Sequence, residues 1–363
     1  MSKPFRRGLV SFAAALVAVA TVGVSSAPAL TITPVATGLD QPRGMAFGPN
    51  GALYVAEAGE GGTDFCFAHP ILGQACGGMT GGLTRIWKGK QERILQLPSI
   101  ASPVEALGPS DVSVQGNGNL FVTIGLGTDP AILNGLPPAA QDLGWLVKGN
   151  PSGNWKRFVN IAAFEAANNP DAGQPGTQVD SNPNAVLAGP GRQVLVDAGA
   201  NDVLLVDQHR DMSVLAVFPV RFVPFGGGMI PMQPVPTSIA AGPDGAFYIG
   251  QLTGFPFPMG GANVFRLVPG QAPTVYASGF TNILDVAFGP DGSLYVAEIF
   301  HFGLLSGNPA GGLWRVPPGG GTPQLLTSDL NLLGGVVVGQ DGSVYVSTCA
   351  TCRNAGAVVK IVP

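Results

Sequence analysis

One pattern recurs six times along this chain and constrains its fold more than any other feature. Residues 44–57 read Gly-Met-Ala-Phe-Gly-Pro-Asn-Gly-Ala-Leu-Tyr-Val-Ala-Glu, a strand, a tight turn and a strand. Gly and Asn accept the positive φ that such a reversal needs. The pattern returns from Asp111 to Ile124, Asn184 to Asp197, Ser238 to Gln251, Asp285 to Glu298 and Gly335 to Thr348. Ten residues into each copy stand Tyr54, Phe121, Leu195, Tyr248, Tyr295 and Tyr345, a periodicity expected of side chains packed between neighbouring units.

A third strand is expected after each hairpin, at 82–86, 202–206, 263–267, 312–316 and 357–361, and near Trp155–Val159 in the second unit. A fourth is expected at 93–97, 213–217, 274–277 and 323–326. The sixth unit stops after its third strand, while a spare strand, Ile32–Thr37, stands near the start. In a ring, that strand completes the last unit and leaves no open edge. The fold class is therefore all-β: a six-bladed β-propeller with four-stranded antiparallel blades, closed by the N-terminal strand. An open sandwich gives no reason for six equivalent units.

Residues 1–29 read as a secretory signal peptide: basic Lys3, Arg6 and Arg7, an apolar run from Leu9 to Val24, and small residues before a cut after Ala29. The alternative is a membrane anchor, but that run is 16 residues, short of the ~20 that span a bilayer. The Arg6-Arg7 pair raises a twin-arginine route, which the flanking residues match poorly. The propeller domain is then 30–363, with no second apolar span to hold it in a membrane. Without the leader, 15 Lys+Arg face 22 Asp+Glu, a net charge of −7, which disfavours nucleic acid as a partner. The chain is expected to be exported, periplasmic or extracellular, and monomeric.

The four cysteines fit an oxidising compartment. Local disulfides Cys66–Cys76 and Cys349–Cys352 are the first choice. A crossed pairing between the first and last blades, and a zinc site on Cys349-x-x-Cys352, are the alternatives.

The turns within the hairpins are short and glycine-rich. The connections at 58–81, about 125–154, 252–261 and 299–311, and crossings such as 219–236, are long, and all fall on the other face. Gly226-Gly227-Gly228 has no helix after it and reads as part of a flexible crossing. Long insertions on one face mark the expected binding face. Two rings of repeat-equivalent positions point there: Gly44, Asp111, Asn184, Ser238, Asp285 and Gly335 open the inner strands. Glu57, Ile124, Asp197, Gln251, Glu298 and Thr348 end the second strands. If equivalent positions converge, the acids Glu57, Asp111, Asp197, Asp285 and Glu298 gather at one channel mouth, with Asn182, Asn184, Asn282 and Gln251 adding neutral oxygens. Converging carboxylates need protons or a cation, and an oxygen-only set suits calcium. The opposing reading leaves each acid on its own blade, bonded to strand-end N–H groups. His69 and His301 lie in long loops and are candidate acid or base groups; His209 sits at a solvated hairpin tip.

The runs Gly38-Leu39-Asp40-Gln41-Pro42-Arg43-Gly44, Asp180-Ser181-Asn182-Pro183-Asn184, Asp197-Ala198-Gly199-Ala200-Asn201-Asp202 and Leu215-Ala216-Val217-Phe218-Pro219 resemble the ScyD/ScyE family of exported propeller proteins, over essentially the whole mature chain. The resemblance implies export and a link, through gene neighbourhood, to the sunscreen pigment scytonemin. It brings no catalytic residues with it. More distantly the chain is similar to NHL-repeat, gluconolactonase and strictosidine-synthase propellers. Their metal-dependent members hold a channel-mouth cation with acids and amides, which marks Glu57, Asn182, Asp285 and Glu298. Quinone-dependent sugar dehydrogenases use a related disc, but the scarcity of histidines and the compact length argue against that chemistry. Two functions follow: a module binding a small molecule, glycan or protein loop on the long-loop face, or a divalent-metal-dependent hydrolase or lactonase.

Overall fold

A computed structural model describes residue 1 and residues 30–103, 105–116 and 118–362. The expected leader lies outside the described residues. Six antiparallel sheets form the blades, five of them four-stranded and the first a four-stranded blade extended by two short extra strands. Blade 1 runs Pro42–Phe47, Leu53–Glu57, Gly73–Trp87 and Lys90–Ala101; blade 3 runs Pro183–Gly189, Arg192–Asp197, Asp202–Val206 and Met212–Val217. Blade 4 covers Pro236–Ala241 to Thr274–Phe280, and blade 5 covers Ile283–Phe288 to Gln324–Thr327. In blade 6, Val336–Val338, Val344–Thr348 and Gly356–Val362 are joined by Thr31–Leu39, with Ile32 opposite Ile361. The expected closure of the ring is what the chain adopts.

Inner hairpins turn through Gly51, Gly245, Gly292 and Gly342, each with φ near +80° (78°, 80°, 80° and 79°), where a side chain would be strained. The periodic aromatics lock blade to blade. Tyr248 of blade 4 meets Phe288 of blade 5 edge-on at 4.7 Å, and Tyr345 of blade 6 meets Phe47 of blade 1 at 5.1 Å. Such T-shaped pairs add about 0.5–1.5 kcal/mol beyond the area they bury.

Blade 2 corrects one expectation. Its third strand is Trp145–Gly149, and Trp155–Asn160 is the fourth, outermost strand. The insertion after the second strand therefore ends at residue 144, ten residues earlier than expected. Two further elements escaped the repeat. Helix α1, Ile161–Asn168, is capped by Asn160, whose side chain accepts from Ala163 N, and it bridges blades 2 and 3. The crossing to blade 4 carries a hairpin, Arg221–Phe225 with Gly228–Met232, so Gly226-Gly227 form a turn between paired strands and Gly228 opens the second of them.

In blade 1 the third strand runs beyond the sheet as far as Gly73 and pairs there with Phe65–His69. Cys66 faces Cys76 across that pair, and both local disulfides, Cys66–Cys76 and Cys349–Cys352, are formed. Among the described residues no helix is long and apolar enough to cross a membrane.

Candidate functional site at the channel mouth

The inner strands line the axle of the disc. On the long-loop face the axle ends in a 110 Å³ pocket walled by Arg43, Asp111, Asn182, Asn184, Thr237 and Asp285, among others. Asp111 and Asp285 also form the floor of a wider, 880 Å³ funnel that opens on the opposite, plain face. Small inner-strand residues, Ala46, Ser113, Ala240 and Ala287, are among those that line the funnel. The larger opening thus lies on the face with short turns, away from the long loops.

The inner ring ties blades together. Asp111 Oδ2 accepts from Val186 N at 2.9 Å, reaching from blade 2 to blade 3, and Asp285 Oδ2 accepts from Val336 N at 2.8 Å, from blade 5 to blade 6. Asn184 donates its amide to Thr237 O at 2.7 Å, from blade 3 to blade 4. Gly44 has no side chain because Asp111 occupies the space: a Cβ there would stand 2.1 Å from Asp111 Oδ1. Burial drives the Asp111 carboxyl well above its ordinary range, and the facing Asp285 charge adds to the shift. Burial likewise raises Asp285 to about 7, against hydrogen bonds from Val336 and Val286. Two like charges across a low-dielectric channel favour keeping a proton between them near neutrality.

The second-strand ring lies elsewhere. Glu57, Asp197, Gln251 and Glu298 are all buried and none walls the pocket. The reason is geometric: they sit one strand further out, ~4.8 Å from the inner strand. Each binds the end of its own blade. Glu57 Oε2 accepts from Asp40 N (2.7 Å) and from the Arg93 guanidinium (2.8 Å), and its Oε1 accepts from the Thr84 hydroxyl. Asp197 accepts from Ser181 Oγ and Asn182 N, both at 2.6 Å, and from Gly199 and Ala200 N. Gln251 Oε1 accepts from Asn263 N (3.2 Å) and from Arg221 (3.4 Å). Ile124 and Thr348 bring no carboxylate to this ring.

The expected convergence of both rings is therefore corrected. Asp111, Asn182, Asn184 and Asp285 meet at the axle, and Glu57, Asp197, Gln251 and Glu298 do not join them. Of the four residues marked for a metal, Asn182 and Asp285 share the pocket, whereas Glu57 and Glu298 are engaged in separate blades. Asn182 Oδ1 accepts from Leu126 N at 3.2 Å, and Asn282 spans Leu252 O and Leu304 N, each at 3.0 Å. Among the described residues, no group of three or more His, Cys, Asp or Glu is arranged to hold a metal ion as it stands.

The two loop histidines part company. His69 is buried. Its Nδ1 accepts from Ile71 N and Leu72 N, so Nε2 carries the proton and donates to Leu126 O at 3.0 Å. Burial lowers its pKa, and with both nitrogens engaged it staples the blade 1 arm to blade 2 and has no nitrogen left for proton transfer. His301 differs: Nδ1 pairs with Glu298 Oε2 at 2.7 Å, while the ring is 19% exposed. Glu298 Oε1 also accepts from Thr281 N at 2.6 Å. Burial raises the Glu298 carboxyl, opposed by its donors, Trp314 and His301 among them. His209 is at an exposed turn, as expected.

On the long-loop face, the crossing before blade 4 and the loops of blades 4 and 5 carry exposed apolar side chains. Phe225 on the 221–232 hairpin packs on Phe255 at 4.8 Å. Met259 lies against Gly303, and Phe302 packs beside His301 at 4.9 Å. Phe222, Phe225, Met229, Phe255, Met259 and Leu305 are exposed. This apolar surface was not foreseen, although Phe-Pro-Phe-Pro-Met at 255–259 carries it in the sequence. Arg43, which reaches Glu105 (3.2 Å) and Ala106 O (3.1 Å) at the pocket wall, was also missed.

No family model matches the chain, and no curated protein matches it. Solved structures do. The PQQ-bound aldose sugar dehydrogenase of Streptomyces coelicolor is 14% identical, with 93% of this chain and 100% of that one covered and a TM-score of 0.52. The calcium-binding protein regucalcin of Agrobacterium tumefaciens is 12% identical (91% and 90% covered, TM-score 0.50). A gluconolactonase-like protein is 11% identical (92% and 91% covered, TM-score 0.50). At these identities the likeness is one of fold: the chain shares the six-bladed disc of such proteins.

Proposed function

We propose that this is an exported, ScyD/ScyE-like binding propeller that takes a small molecule with an apolar body and a polar end on its long-loop face. The observation that supports this is one juxtaposition. A polar pocket holding Arg43, Asn182 and the Asp111–Asp285 pair opens on the face whose loops carry exposed Phe and Met side chains. Exposed aromatic clusters of this kind are unusual on a surface without a ligand, and the pocket supplies the few convergent polar groups that fix orientation. A place in secondary-metabolite chemistry of the scytonemin type follows from the family resemblance. Equilibrium dialysis against a panel of aromatic acids, aromatic alcohols and lactones tests the reading. Binding should weaken at least tenfold in both Phe255→Ser and Asn182→Ala. Binding that neither change affects, or that maps to the plain-face funnel, would defeat it.

A second reading, hydrolysis of a lactone or ester, is favoured by the Glu298–His301 pair. A buried carboxylate orienting Nδ1 of a partly exposed imidazole leaves Nε2 to act as a base. Turnover of such substrates should then fall at least a hundredfold in His301→Gln; turnover unchanged by that substitution removes the pair from the chemistry.

A further inference from the structure

Blade 3 holds a second concentration of acid, away from the axle. Glu165 on helix α1, Asp171 and Asp180 on the segment after it, and Asp202 at the start of a strand all lie within electrostatic reach of Asp197 or of one another. The Asn201 amide donates to Asp171 Oδ2 at 2.8 Å. Asn169, with its amide nitrogen turned inward, lies 3.0 Å from Asp171 Oδ1 and 3.3 Å from Glu165 Oε1.

Two observations set this cluster apart from the acids of blades 1 and 5. Several of its oxygens have no hydrogen-bond partner: both of Asp202, Oε2 of Glu165 and Oδ1 of Asp180. Asp202 is 0% exposed and Glu165 is 1% exposed. A buried carboxylate with no donor at all is far costlier than one that is capped. The second observation is charge. Among the described residues, no Lys, Arg or His is among the groups acting on these carboxylates. The sequence itself has no basic residue between Arg157 and Arg192.

Such a set is neutralised by protons or by a cation. Glu165, Asp171, Asp180 and Asp202 supply only oxygens, and hard divalent cations take about 6–8 of them. We propose that this pocket of blade 3 binds a calcium-class divalent cation through Glu165, Asp180 and Asp202, with Asp171 held in place beside them by Asn201. Half-buried Asn169 and Asp180 mark the way in from the surface. As they stand the carboxylates do not close on one point, so binding requires them to turn. Asp202 can turn without breaking a hydrogen bond, which is what its two unpartnered oxygens permit. The site is separate from the channel mouth, and its fate does not decide the function proposed there.

The test uses the whole mature chain, dialysed against chelator and then titrated with calcium at pH 7.5. Elemental analysis should find about one calcium per chain, and the thermal midpoint should rise by about 3–6 °C. Asp202→Asn and Glu165→Gln should each weaken calcium binding at least tenfold while raising the midpoint of the metal-free protein, since each replaces a carboxyl buried without a compensating cation by a neutral amide. Asp341→Asn, on an exposed turn, should leave the calcium response intact. Three results would overturn the proposal. One is a chain that retains no calcium and has the same midpoint in calcium and in chelator. Another is a calcium response that survives both cluster substitutions. The last is stabilisation by acid alone with no calcium effect. Should Asp202→Asn fail to fold, the wild-type titration and Glu165→Gln decide the matter.

Discussion

Blades 1 and 5 carry the same pentapeptide, Leu-Tyr-Val-Ala-Glu, at 53–57 and 294–298, and in both the glutamate is buried at the strand end. In both it accepts from the backbone N–H that precedes the inner strand, Asp40 N in one and Thr281 N in the other. The third partner differs. Glu57 meets Arg93, a guanidinium from the outer strand; Glu298 meets His301, an imidazole from the loop. The repeat thus fixes the acid and its backbone donor, and what lies outside the repeat decides whether the acid is paired with a guanidinium or with an imidazole.

That contrast can be broken by measurement. The largest effect is expected from Glu57→Gln, which swaps a buried acceptor for an amide facing Arg93 and should cost about 2–3 kcal/mol in denaturant unfolding. Glu298→Gln should cost less, about 1–2 kcal/mol, and its cost should depend on pH. Burial raises the folded-state value of Glu298, so its contribution is fully present below the unfolded value and is lost as pH rises through the folded one. The penalty of Glu298→Gln should therefore shrink between pH 5 and pH 8; a penalty that grows instead would refute the assignment. Arg93→Met should cost about 1 kcal/mol, because the guanidinium is a third exposed and its attraction is screened. The smallest change is expected from His301→Gln, about 0.5 kcal/mol in stability. A larger loss there than at Arg93 would erase the distinction between the two blades.

The disc was legible because strand, turn and strand recur with the same glycines and aromatics, and only a closed ring uses six such units with one strand displaced. Blade 2 misled because Trp145–Gly149 and Trp155–Asn160 are both short and each begins with tryptophan, so the pattern alone does not say which pairs with Asn119–Ile124. The site was half legible. Position in the repeat gives height along the axle, and it placed Asp111, Asn184 and Asp285 correctly at the wall. It does not give distance from the axle, so Glu57 and Glu298 were drawn inward when each is one strand out. The acids of blade 3 were visible as a long stretch without a basic residue, but their burial depends on helix α1, which the repeat does not encode.

Pairing Thr31–Leu39 with Gly356–Val362 has a consequence for how the molecule comes into being. The sheet that seals the disc is assembled from the two most distant stretches of the described chain, so it brings the heaviest loop-closure penalty and should form late. Until then five blades stand as an open arc with a bare edge on either side, and shortening the strand at 31–39 should leave that arc as a sticky, self-associating species.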